Sequence, residues 1–339
     1  MILAIESSCD ETSSAVVRRD ANNRFEVLSN IIASQIEVHQ KYGGVVPEVA
    51  SRKHAEVIDI VVSEAIEKAG IKKSEIEAVA ATFAPGLIGA LLVGFNFGKA
   101  FAYALNVPFI PAHHIEGHIS ALYIENEMPK DFLCLVVSGG HSHIVRVRDY
   151  DRFEVLARTR DDAVGEAFDK IARVLGLGYP GGPIIEKVAR DGNANAYLFP
   201  KVKFSDSDDF SFSGVKTSVI NLLHNLEQKG ENINTADIAA SFQNAVCETL
   251  SERLVSIAKH LGIKSIAIAG GVACNGYLKN MIAEKSKKSG MNFAYPSPIL
   301  CTDNAAMIGV RGFYHLDKKE FSGLNSNATA TFMIGENHG

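Results

Sequence analysis

Two short apolar runs, half a chain apart, set the pattern of this sequence. Ile2-Leu3-Ala4-Ile5 leads into a polar turn, Glu6-Ser7-Ser8-Cys9-Asp10-Glu11-Thr12, and then into Ala15-Val16-Val17. Leu133-Cys134-Leu135-Val136-Val137 leads into Ser138-Gly139-Gly140-His141-Ser142-His143, and then into Ile144-Val145-Arg146-Val147. Each reads as strand, loop, strand, and the recurrence predicts two related lobes. Helical stripes follow: Val57, Ile58, Val61, Val62, Ala65 and Ile66 within 55–68, and Ile238, Phe242, Ala245, Val246, Leu250 and Leu254 within 238–261. Strand-like runs at 266–269 and 293–295 alternate with them. The alternation predicts an α/β protein with helices covering its sheets. The hairpin openings make those sheets mixed rather than purely parallel. The expected lobes are residues 1–129 and 130–303, with 304–339 packing back on the first.

Bulk properties narrow the picture. A chain of 339 residues is long for one core, which agrees with two lobes. Apolar residues at 47% and charged ones at 22% are those of a soluble globular protein. Residues 78–98 carry no charge and nominally reach membrane-spanning length. Pro85-Gly86 breaks that run, so it reads as a buried strand, a loop and a buried glycine-rich helix, with no membrane partner. Five scattered cysteines without a C-x-x-C pair read as the reduced thiols of a cytoplasmic protein, and no basic segment precedes the first apolar run to suggest a signal peptide. From 323 to 339 the composition reads as an irregular tail. The formal charge of −5 leaves no footprint for a stand-alone nucleic-acid binder. An RNA substrate would need a local patch, for which Lys41, Arg52, Lys53, Lys72 and Lys73 are candidates, or a second protein.

Candidate chemistry sits at the loops. Residues 6–12, 138–140 and 270–275 are each glycine- or oxygen-rich turns after a strand, where backbone N–H groups can meet a phosphate. Tyr179-Pro180-Gly181-Gly182-Pro183 fits a wall for a sugar or base. In His113-His114-Ile115-Glu116-Gly117-His118, a helix would stack His114 and His118 one turn apart, where they can share a divalent metal. Glu116 is misplaced for the H-E-x-x-H pattern of a metallopeptidase. A third ligand should be a distant carboxylate. In Cys301-Thr302-Asp303-Asn304, Thr302 or Asp303 can cap the helix that follows, or Asp303 can complete two histidines and a carboxylate, a set associated with Fe2+. Residues 161–170 are acidic at helical spacing, with Asp162, Glu166 and Asp169 on one side. An actin-like ATPase or phosphotransferase would use the same glycine loops, but with oxygen-liganded Mg2+ rather than histidines.

Several motifs occur in one order between residues 5 and 312: 5–12, 42–48, 84–87, 113–118, 135–141, 165–170, 179–183, 210–214 and 301–304. Together they resemble the tRNA adenosine threonylcarbamoyltransferase family, TsaD-like proteins formerly described as O-sialoglycoprotein endopeptidases. The resemblance implies an actin-like ATPase fold of two ribonuclease-H-like lobes. It implies transfer of a threonylcarbamoyl group from threonylcarbamoyl-AMP to the exocyclic amine of the adenosine 3′ of the anticodon, in tRNAs reading codons that start with A. It places metal ligands at His114, His118 and Asp303, with Fe2+ as the ion and Zn or Mg as substitutes in vitro. Substrate contacts, including those to the adenine nucleotide, fall on Val136, Val137, Ser138, Gly139, Gly140, Asp169, Gly182, Glu186 and Asn275. Glu186 stands where many relatives carry aspartate. Glu11 and Asp10 are candidates for a general base or for a purely structural turn. TsaB-like and TsaE-like companions are implied as partners.

Overall fold

The computed structural model describes residues 1–336. They form two compact units: residues 1–128, 150–153 and 296 onward make one, and residues 129–149 and 154–295 the other. In the first, β1 (Ile2–Glu6), β2 (Glu11–Arg19), β3 (Phe25–Ser34), β4 (Ala78–Ala84) and β5 (Phe109–His113) are ordered β3-β2-β1-β4-β5. β1 and β3 run antiparallel to β2, whereas β1, β4 and β5 are mutually parallel. Both faces of β1 are covered, which is why its apolar run is unbroken until Glu6. Ile2 and Ala4 pack with Met307, Ile308, Val310 and Phe313 of the Ala305–Lys318 helix. Leu3 and Ile5 pack with Ile58, Val62 and Ile66 of the Pro47–Ala69 helix and with Phe95 of the Ile88–Leu105 helix. Burial of each such isoleucine or leucine contributes about 1.5–3 kcal/mol.

Close approach of the Ala305–Lys318 helix depends on glycine. A Cβ on Gly309 would lie 2.6 Å from Val17 Cγ2, and one on Gly312 would lie 3.0 Å from Ala80 Cβ. Residues 296–303, assigned by sequence to the second lobe, belong to the first unit, so Asp303 and the histidines share a unit. Among the described residues, only Ile88–Leu105 is long and apolar enough to cross a membrane. It is buried along one face rather than all round: Ala90, Leu91, Gly94, Phe95, Gly98 and Ala102 pack inward. The segment 323–336 forms no helix or strand but is tied down, with Thr329 N–H bonded to Phe83 O at 2.9 Å and Phe332 edge-on to Phe83. Residues 337–339 of the expected tail lie outside the described residues.

The second unit repeats the plan. β6 (Asp131–Val137), β7 (Ser142–Arg148), β8 (Arg152–Arg158), β9 (Ser265–Ala269) and β10 (Asn292–Ala294) are ordered β10-β9-β6-β7-β8. β6 is antiparallel to β7 and parallel to β9, as β1 is to β2 and β4. Two α/β units with mixed sheets are therefore present, as the recurring openings predicted. The helical stripes prove longer than the apolar patterns, at Pro47–Ala69 and Thr235–His260. The acidic segment is a correction. Its helix spans Val164–Val174, so Asp161 and Asp162 precede it and share no helical face with Glu166 and Asp169. Asp161 instead accepts hydrogen bonds from Ser211 Oγ, Phe212 N–H and Ser213 Oγ, and Asp162 pairs with Lys170 and Lys216.

Candidate functional site

Because β1, β4 and β5 are parallel, their C-terminal ends lie along one edge, and open α/β sheets bind ligands at that edge. Glu6 closes β1, Thr82 lies near the end of β4, and His114 opens the His114–Ser120 helix directly after β5. The Glu6 carboxylate is fully buried. It accepts Ser8 N–H at 2.5 Å and Thr82 Oγ1–H at 2.6 Å, and lies 3.0 Å from His114 Nδ1. Ser8 Oγ is 3.1 Å from the same nitrogen. One turn on, the His118 ring lies 4.7 Å from that of His114, centroid to centroid.

Asp303 joins them from the turn before the Ala305–Lys318 helix. Its Oδ1 lies 3.1 Å from His118 Nε2 and 3.6 Å from His114 Nε2. The helix cap is Asn304, whose Oδ1 accepts Met307 N–H at 3.1 Å; neither Thr302 nor Asp303 takes that role. One ligand atom each from His114, His118 and Asp303 lies within 4.8 Å of the others. Both His118 nitrogens are buried without a hydrogen-bond partner among the described residues, so the close approach to Asp303 lacks hydrogen-bond geometry. Two imidazoles and a carboxylate with buried nitrogens left unsatisfied fit a divalent metal ion.

The electrostatics of the two rings diverge. Burial opposes charge on His114, but Glu6 and Asp303 outweigh it and raise the imidazole to about 9. Burial also pushes Glu6 up, yet the facing His114 holds its carboxyl below the usual range. His118 stays below its ordinary value through burial and the nearby His114, despite Asp303. Glu11, at the start of β2, is driven well above the carboxylate range by burial first and then by Asp10 and Asp303. Glu116 is engaged elsewhere: Arg311 Nη2 bonds it at 2.8 Å, and its Oε1 accepts Gly335 N–H at 3.2 Å. That ion pair removes Glu116 from the role a metallopeptidase base would need.

In the second unit the candidates meet through main chain. Val136 and Val137 end β6 with buried side chains, so they offer backbone only. Ser138 O accepts Gly165 N–H at 3.3 Å, and Gly139 O accepts Glu166 N–H at 3.2 Å, placing this loop on the first turn of the Val164–Val174 helix. Gly165 permits the approach, since its Cβ would fall 2.7 Å from Gly139 Cα. Gly139, Gly140 and Gly182 face open space. Asp169 Oδ1 accepts Gly181 N–H at 2.7 Å. Asn275 caps the Gly276–Lys288 helix through Leu278 N–H and donates to Gln243, while Glu186 Oε1 accepts Gly276 N–H at 2.9 Å. Beside them a cavity of about 480 Å3 is lined by Glu186, Arg190, Gln243, Gly276, Tyr277 and Asn280.

Sequence reasoning placed Glu6 in the oxygen-rich 6–12 turn without a role of its own, and passed over Thr82 and Gln243. Only Glu6 left a trace, as a carboxylate directly continuing an apolar strand. Of the expected basic patch, Arg52 pairs with Glu48 and Lys53 with Glu56, and Lys73 lies over the Phe101 ring.

Residues 26–310 match the family model described as tRNA N6-adenosine threonylcarbamoyltransferase. A Clostridium perfringens (strain SM101) protein of that description is 54% identical over 338 residues, covering 99% of this chain and 98% of its own. A Clostridioides difficile (strain 630) protein of the same description is 52% identical, with 98% of both chains covered. Among solved structures, T. kodakarensis HypF superposes with a TM-score of 0.64 at 15% identity, over 94% of this chain and 48% of that longer one. The fold these similarities delineate is the actin-like ATPase fold, with two ribonuclease-H-like lobes.

Proposed function

The chain belongs to the tRNA N6-adenosine threonylcarbamoyltransferase family and is a transferase that modifies adenosine in tRNA; from that premise we propose its donor, its site and its helpers. The donor is threonylcarbamoyl-AMP. The acceptor is the exocyclic amine of the adenosine 3′ of the anticodon, in tRNAs reading codons that start with A. The reaction forms a bond between that nitrogen and the carbamoyl carbon, breaks the mixed-anhydride C–O bond, and releases AMP and one proton.

An aromatic amine is a weak nucleophile because its lone pair is delocalised into the ring. The chain must therefore stabilise charge on the acyl group and on the departing phosphate. A divalent ion, in this reading Fe2+, held by His114, His118 and Asp303, supplies Lewis-acid stabilisation of that charge. Main-chain N–H groups of Ser138, Gly139 and Gly140 steady phosphate oxygens, with the backbone of Val136 and Val137 leading into them. Gly182 leaves room for the nucleotide, and Glu186, beside the cavity, is the ribose contact. Asp169 and Asn275 hold hydroxyls and the base edge, and their bonds to Gly181 N–H and Leu278 N–H fix the side chains in place. Glu11 is the candidate acceptor for the amine proton.

The convergence of His114, His118 and Asp303 carries this reading. TsaB-like and TsaE-like companions assist in the cytoplasm, since the chain's net charge of −5 gives it little general attraction for tRNA. Mass spectrometry of tRNA nucleosides from cells depleted of the protein tests the proposal. Loss of threonylcarbamoyladenosine, restored by the wild-type gene but not by a His118→Ala gene, is expected. An unchanged nucleoside profile after depletion would contradict it.

A further inference from the structure

We propose that Glu6 is a positioning residue for the metal centre, fixing which nitrogen of His114 faces the ion; this rests on the metal reading above. The two nitrogens of an imidazole point in different directions, and the partner of one decides what the other can do. Here Nδ1 faces the Glu6 carboxylate at 3.0 Å, and Nε2 faces Asp303 at 3.6 Å. An ionised carboxylate only accepts, so the bond to Glu6 requires the proton on Nδ1 and leaves the Nε2 lone pair for a ligand. Metal-bound histidines commonly use their second nitrogen in this way, and loss of the outer partner typically costs 10–100-fold in metal affinity.

The surroundings make Glu6 a fixed acceptor rather than a fourth ligand. Its oxygens are taken by Ser8 N–H, Thr82 Oγ1–H and His114, and the residue is fully buried at the end of a central strand. Those bonds come from three separate elements: the loop after β1, β4, and the His114–Ser120 helix. Rotation of the carboxylate away from the ring would break at least one of them. His118 has no equivalent, since neither of its nitrogens finds a hydrogen-bond partner among the described residues. Of the two histidines, His114 is therefore the one oriented by hydrogen bonds among the described residues, through Glu6 and, at 3.1 Å, Ser8 Oγ.

Co2+, a spectroscopic probe for the site, allows a test on the full chain. In the wild-type protein loaded with Co2+, the His114 Nδ1–H should give a paramagnetically shifted proton resonance protected from solvent exchange. Glu6→Gln, which keeps the volume but removes the charge, should bind Co2+ about 10–100-fold more weakly, with that resonance exchanging rapidly. Equal Co2+ affinity and an equally protected resonance in Glu6→Gln would overturn the role of Glu6. If Glu6→Gln does not fold, the wild-type spectrum decides: Co2+ bound through Nδ1, with the proton on Nε2, overturns the proposal. No stoichiometric Co2+ uptake by the wild type, or uptake unchanged in His114→Ala, overturns the metal reading itself.

Discussion

The two strand–loop–strand openings share a topology and solve opposite problems. In the first, the end of β1 and the loop after it are filled with side chains: Glu6, Ser7, Ser8 and Asp10 are all buried, and a carboxylate locks onto an imidazole. In the second, the loop after β6 is stripped to Ser138-Gly139-Gly140, with nothing within 4 Å of either glycine's missing Cβ. The sheet order is the same in both, so the difference lies in what the turn carries. One turn builds its site from side chains and suits a cation. The other exposes main-chain N–H groups and suits an anion.

Breaking the first opening should have the largest effect. His114→Ala and Asp303→Ala should lower metal affinity and transfer by more than about 100-fold, since even outer-shell partners are worth 10–100-fold. Metal analysis of the purified variants, with circular dichroism to confirm folding, checks this. Breaking the second should act on nucleotide alone. A Cβ added at Gly139 or Gly271 meets nothing within 4 Å, so Gly139→Val and Gly271→Val should both fold and yet bind AMP about tenfold or more weakly, by calorimetry. Gly165→Ala sharpens the contrast, because its Cβ would strike Gly139 Cα and Ser138 O at 2.7 Å. It should cost about 1–3 kcal/mol of stability as well as nucleotide affinity.

A further contrast is in pH. His114 is raised by its carboxylates, whereas His143, on β7 just past the second loop, has none and is lowered by burial and then Arg158 to about 4. The unfolded chain therefore binds this proton more readily than the folded one. The stability His143 contributes is complete above pH ~6.5 and is lost as pH falls toward 4, on the order of 3 kcal/mol across that window. His143→Gln should flatten that part of a chemical-denaturation profile. The smallest effect is expected at the first-unit lysines. Lys41→Ala should weaken tRNA binding by less than about 1 kcal/mol, and only at low salt.

Much of this was legible in the sequence because burial on both faces leaves an unbroken apolar run. β1 and β6 announce themselves that way, and the i, i+4 spacing of His114 and His118 survives into the helix. β3 and the Ser213–Lys229 helix did not, since mixed burial along them blurs any period. Asp303 was ambiguous, as a carboxylate ahead of a helix reads equally well as a cap; only the structure gives that task to Asn304. The role of Glu6 was not legible because its partners, Thr82 and His114, are distant in sequence and meet only when parallel strands align their ends.

The most direct test is a single-turnover transfer assay with labelled threonylcarbamoyl-AMP, tRNA and the companion proteins. The protein is first stripped of metal by chelation and then reloaded anaerobically with Fe2+. The stripped protein should still bind AMP but transfer no label, and reloading should restore the rate in wild type and not in His118→Ala. Full transfer by the stripped protein would contradict this expectation.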